Sequence, residues 1–196
     1  SDNLTFTYEA KSLPYPIDTS YYDNEKHTQA DALSVIPFMD EMNYEGLSVS
    51  GLSDGYYGLT IGREFIGRFT ARELERGINM ALLQNTPQYK QAMKIRQMNE
   101  ERWLKERKMR EFYWVEYNLM RKTGMLWACD EAAVDTLRKY RPHDIFLQWN
   151  GDLWLQYMHK GIREDCVNEQ QDLVNRIYEQ NKPIPLRIEI KKFTDL

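Results

Sequence analysis

Apolar and polar positions alternate most clearly between Gly46 and Thr70. Leu47, Val49 and Leu52 alternate with Ser48, Ser50 and Gly51, and Ser53-Asp54-Gly55 then supplies turn chemistry. Tyr57, Leu59 and Ile61 alternate again, Gly62-Arg63-Glu64 turns the chain, and Phe65, Ile66 and Phe69 begin a third strand. The pattern predicts a β-meander of three short strands, one face of which must be covered to be stable. The first residues, SDNLTFTYEAKSLPYPI, read as an extended strand ending at Pro14 and Pro16. LRIEIKKF near the other end, alternating Leu186, Ile188 and Ile190, reads as a last strand that returns to the sheet. Between residues 18 and 45 periodicity is weak, which predicts an irregular connection and a short helical or extended piece around Ala30 to Met39.

Helical signals fill the rest. Thr70 is an N-cap with Glu73 at the capping-box position, opening a short helix from Ala71 to about Asn79. Thr86 caps and Pro87 starts a second helix that nothing interrupts before Gly124. Such a helix is longer than a compact domain is wide, so it must kink, protrude or lie against something beyond its own domain. Its middle, NEERWLKERK, is polar nearly all round, whereas Met109 to Met120 is apolar enough to be buried on more than one side. Asp130 caps a helix to Tyr140, and Arg141-Pro142 makes a turn. His143 to Lys160 follows, with Asn150-Gly151 as a point of interruption, and Ile162 to Asn181 ends at Pro183 and Pro185. The predicted class is α+β: a small antiparallel sheet including the terminal strands, packed with several helices, one of them long at about 87–123. The division is a β-rich part over 1–83 and a mainly helical part over 84–196 ending in a strand, together one compact unit.

Composition narrows the function classes. With 196 residues and 42% hydrophobic positions the chain is long enough for a real core, and its 5 Trp, 13 Tyr and 7 Phe argue against disorder. No stretch approaches the roughly 20 apolar residues of a membrane-spanning helix, so no membrane partner is expected. The net charge of −4 gives no wholesale attraction to nucleic acid. The charge is uneven, however: the segment between Thr86 and Gly124 carries +5 and the remainder −9. The basic-aromatic run from Arg102 to Trp114 therefore reads either as a phosphate or RNA binder or, given its interleaved acids, as a solvated or interface helix. The second reading makes Trp103, Arg107, Arg110 and Trp114 the candidate interface residues, with no nucleic-acid partner.

Catalytic chemistry has little local support. There is no G-x-S-x-G, and Leu153 stands where a Gly-Asp-Ser block needs its hydroxyl. The residues three positions before His27, His143 and His159 are Asn24, Tyr140 and Gln156, none of them a carboxylate. Asp130/Glu131 and Glu164/Asp165 could be paired acids, but adjacent acids near helix starts ordinarily complement the helix dipole. The glycines sit at strand and turn positions, not in a phosphate loop. Cys129 and Cys166 fit no zinc spacing; they are two free thiols or a single disulfide. Trp149, Trp154 and Tyr157, with Asn150 and Asp152 nearby, are the candidate ligand-stacking residues, although their helical spacing favours a buried aromatic stripe. No catalytic, cofactor-binding or metal-ligating residue is assigned, and no cofactor is expected.

Three stretches carry a resemblance. FTYEAKSLPYPI (Phe6 to Ile17), LSVSGLSDGYYGLTIGREFIGRFTARELERGIN (Leu47 to Asn79), and Asn85-Thr86-Pro87-Gln88 leading to Asn99-Glu100-Glu101-Arg102 resemble the C-terminal region that follows the catalytic domain in bacterial SGNH/GDSL-type hydrolases. One departure is Ile61-Gly62-Arg63, where that family carries an acid before its turn glycine. Residues 125 to 196 add little. In that family the Gly-Asp-Ser, oxyanion-hole and Asp-x-x-His blocks all lie upstream, and none falls on a residue here. The resemblance thus implies a non-catalytic accessory module that packs on the SGNH hydrolase domain of a larger ester hydrolase or mediates assembly. It also implies an acyl or acetyl ester substrate, often on carbohydrate, and export from the cell. The opening Ser1 suits a mature exported chain or an excised piece equally. The other reading is a self-standing carbohydrate- or protein-binding module.

Overall fold

The computed structural model describes residues 3–18 and 28–193. The fold is α+β, and the chain divides into two compact units: Ser1–Arg96 with Glu179–Leu196, and Gln97–Tyr178. The strands are β1 (Asn3–Tyr8), β2 (Gly46–Leu47), β3 (Tyr56–Ile61), β4 (Glu64–Thr70), β5 (Ile78–Asn79) and β6 (Leu186–Lys192). The α-helices are α1 (Phe38–Glu41), α2 (Ala71–Arg76), α3 (Pro87–Val115), α4 (Glu131–Tyr140), α5 (Ile145–Tyr157) and α6 (Lys160–Gln180).

In the first unit a four-stranded antiparallel sheet runs in the order β1-β6-β3-β4. The expected last strand does return: it lies between β1 and β3, with Ile190 opposite both Leu4 and Leu59. Alternation dictates this place, because Leu186, Ile188 and Ile190 join Tyr57, Leu59 and Ile61 on one buried face with Leu74 and Met80. Gly62, at φ 64°, allows the tight β3–β4 turn. Ile66 is an extra residue opposite Leu59–Thr60, a bulge that keeps its side chain in the core.

The three-strand meander is corrected. Residues 48–55 form no strand; β2 is two residues long and pairs with β5. The edge of β3 that the meander would have used is taken by β6, a long-range pairing with better apolar complementarity. Asn79 closes the alternative arrangement. Its Oδ1 accepts from the backbone N–H of Glu45 and Ala81, and its Nδ2 donates to the carbonyls of Met39 and Asn43. The piece expected around Ala30 to Met39 is a 3-10 turn over Gln29–Ser34 followed by α1.

The capping box at Thr70 forms as expected: Oγ1 accepts from Glu73 N at 3.1 Å and the Glu73 carboxylate accepts from Thr70 N at 2.7 Å. That bond, with the Thr70 hydroxyl, holds the Glu73 carboxyl below its ordinary pKa. Gly77, at φ 90°, ends α2 at Arg76, short of Asn79.

The second unit is helical, with Met109, Phe112, Val115, Leu119, Met120, Leu137, Leu147 and Trp154 in its core. The predicted long helix is α3 plus a single wider π turn, Glu116–Met120. Asp130 caps α4 by accepting from Ala133 N, and Asp144 caps α5 by accepting from Phe146 N and Leu147 N. Asn150-Gly151 does not interrupt α5. Gly151 leaves room for the Arg141 side chain, whose Nε would lie 3.1 Å from an added Cβ. Arg141 from there grips both Asp152 oxygens at 2.6 and 2.7 Å, which keeps that carboxyl below its usual pKa.

Candidate functional site

The four candidate interface residues come together. Trp103, Arg107, Arg110 and Trp114 are spaced i, i+4, i+7, i+11 and so form one stripe along α3. With Glu111 and Asn150 they line a shallow depression of about 350 Å³. Trp103 is 41% exposed, and the Arg107 guanidinium sits 6.0 Å from its ring centre. Arg107 donates to Glu111 at 2.7 Å, whereas Arg110 approaches Glu106 only to 3.9 Å. Trp114 packs on Phe146 of α5 at 5.2 Å between ring centres, and Phe146 meets Trp149 edge-on at 5.5 Å. Phe146 is 49% and Trp149 66% exposed, so the stripe continues as a band of aromatic surface.

The three candidate stacking residues are separated. Trp154 is fully buried and Tyr157 nearly so, both in the helical core; Trp149 alone faces solvent. A stacking platform from these three is thereby corrected to one exposed ring and two core rings.

The excess positive charge of the long helix is largely paired. Lys90 bridges Glu64, Arg96 bridges Asp18, Arg102 bridges Glu106, and Lys105 bridges Glu169. The Glu169 contact raises the pKa of the Lys105 ammonium. Of the paired acids, Asp130 is a cap, Glu131 pairs with Arg138, and Glu164 pairs with Lys160. Cys129 is an exposed free thiol and Cys166 a buried one. His143 and His159 are exposed, and His27 lies outside the described residues.

Two arrangements had no local sequence signal. Glu116 is 1% exposed at the start of the π turn, where one carboxylate oxygen accepts from Trp154 Nε1 at 2.8 Å and the other from Trp127 N at 2.9 Å. Trp127 is held at φ 64°, a strained backbone for a bulky residue. Its ring stands edge-on to Tyr113 and Tyr117, with the Arg163 guanidinium 5.8 Å away. In the first unit, Glu45 lines a polar cleft of about 480 Å³ with Tyr8 and Asn43. Burial raises the Glu45 pKa against the opposing hydrogen bonds from Gln88 and Tyr8. Burial, followed by the Glu45 charge, pushes the Tyr8 hydroxyl up to about 12.

Residues 93–182 match the family described as the diltiazem deacetylase C-terminal helical domain. The chain is also similar to the solved structure of a gut microbial diltiazem-metabolizing enzyme, at 38% identity and a TM-score of 0.89. That likeness covers 97% of this chain and 43% of the enzyme. No curated protein matches. These findings overturn the resemblance to the C-terminal region of SGNH/GDSL-type hydrolases. The motifs that carried it lie mostly between Phe6 and Asn79, ahead of the matched segment, whereas residues 125–182, which gave it little, make up most of the match. The chain thus spans less than half the length of the solved enzyme it resembles, and its matched segment corresponds to an enzyme's C-terminal helical domain.

Proposed function

We propose that this chain is the non-catalytic C-terminal part of a larger acetyl-ester hydrolase, whose catalytic part lies elsewhere in the parent polypeptide. The reaction of the whole would add water across an acetyl ester, releasing the alcohol and acetate, and a drug ester such as diltiazem is one substrate of this class. The observation that carries the reading is the asymmetry of the structural likeness: nearly all of this chain superposes on less than half of a diltiazem-metabolizing enzyme. The side chains support it too. The buried Glu116 carboxylate serves as a structural acceptor, and the acids near helix starts serve as caps and ion-pair partners.

Incubating the isolated chain with p-nitrophenyl acetate tests this against the full-length parent. The parent is expected to release p-nitrophenolate and the isolated chain to stay at the buffer rate. Saturable turnover by the isolated chain would refute the proposal.

A further inference from the structure

Trp103, Arg107, Arg110 and Trp114 were singled out by sequence, and the capping, pairing and core roles above leave most of their outward surface unused. We propose that this stripe, with Phe146 and Trp149 beside it, is the surface on which the rest of the parent enzyme docks. The proposal rests on the reading of the chain as one part of a larger polypeptide.

The composition is that of an interface centre. Tryptophan and arginine are the residues whose burial contributes most to association, and here two tryptophans and two arginines frame one depression, with a phenylalanine and a third tryptophan on its flank. Met109, Phe112 and Val115 of α3 are buried, while Trp103 and its neighbour Leu104 are left outside. A helix in water gains nothing by exposing a ring of that size, whereas a helix with a second surface to cover does.

The occupant is specified by charge and by what the chain lacks. Arg107 and Arg110 have side chains 55% and 59% exposed, and Arg110 has only a long 3.9 Å approach to Glu106. A partner carboxylate in bidentate contact would offer Arg110 a shorter bond than it has now. The docking face is therefore apolar with at least one acidic side chain opposite Arg110. In the solved relative, more than half of the polypeptide lies outside the part that matches this chain, so a covalently attached partner of ample size exists there. Attachment supplies a high local concentration, which favours that partner over a second copy.

The test uses the full-length parent protein and reads the oxidative labelling of Trp149, the most exposed ring of the band, by mass spectrometry. Protection is its labelling rate in concentrated urea divided by that in native buffer. Docking predicts a protection of about tenfold or more, as for a ring sealed at an interface centre, unchanged on dilution. It also predicts that the double variant Arg107→Glu/Arg110→Glu returns the ring to about twofold or less. Protection of about twofold or less in the unaltered parent overturns the proposal, as does protection that disappears on dilution, which marks a second copy as the occupant. An unprotected Trp149 in a parent that still hydrolyses acetyl esters removes the docking surface alone. A protected Trp149 in a parent without that activity supports the docking and removes the enzymatic reading alone.

Discussion

Glu116→Leu is expected to destabilise the helical unit by roughly 3 kcal/mol, because it strands a buried donor and a part-buried one, where full burial would cost about 1–3 kcal/mol each. The two donors are Trp154 Nε1–H and Trp127 N–H, and leucine, of similar size, offers neither an acceptor. The second loss also releases Trp127 from its φ of 64°, which without the carboxylate has no compensating bond. Glu116→Gln should cost about half as much, since its one carbonyl oxygen can serve one donor while its NH2 faces the other. Trp154→Phe removes one of the same bonds, so the double variant Glu116→Leu/Trp154→Phe should cost less than the sum of the two single changes. Urea unfolding followed by circular dichroism measures all four. A loss under about 1 kcal/mol for Glu116→Leu would show that the buried carboxylate is not the anchor of the π turn.

The second large effect belongs to the sheet. Ile190 is fully buried in β6, opposite Leu4 of β1 and Leu59 of β3. Ile190→Asp places a carboxylate with no partner in that layer and should cost at least about 4 kcal/mol, enough to unfold a unit of ordinary stability. Arg187→Ala in the same strand points to the exposed face, where the nearest acid, Glu189, is 3.9 Å away, and should change stability by no more than about 0.5 kcal/mol. Loss of the β-sheet signal in the first variant and its retention in the second is the expected pair of spectra. Equal stability of the two would mean that β6 is dispensable, contrary to its place between two strands.

What was legible in the sequence was what neighbouring residues decide. Thr70 with Glu73, and Asp130 with its helix, act within four residues, so local chemistry was enough to place them. The β3–β4 hairpin and the alternation of Leu186, Ile188 and Ile190 were legible for the same reason. The stripe on α3 was legible because helical spacing alone aligns Trp103, Arg107, Arg110 and Trp114, but the arrival of Phe146 and Trp149 beside it required the tertiary fold.

Choices among distant partners were not legible. Leu47 and Val49 alternate well enough to extend a meander, yet β3 prefers a strand 130 residues later in the chain, and the short loop pairs with β5 instead. Glu116 looks like one more acid on a charged helix; only Trp154, 38 residues away, reveals it as an internal acceptor. The buried-stripe reading holds for Trp154 and Tyr157, which share one face, but not for Trp149, because spacing of five places it about 140° around the helix from Trp154. The family resemblance drawn mainly from the strand and turn motifs failed because such motifs serve many families, while the family match rests on residues 93–182.

On the proposed reading no side chain here takes part in bond making or breaking, and histidine is the group that acyl transfer most often needs. His143 and His159 are exposed, so His143→Gln and His159→Gln can be combined in the full-length parent with little risk to the fold. Acetate release from an acetyl ester by that double variant is predicted to keep kcat/KM within about twofold of the parent. A fall of about 100-fold or more, the scale of a lost general acid or base, would contradict the claim.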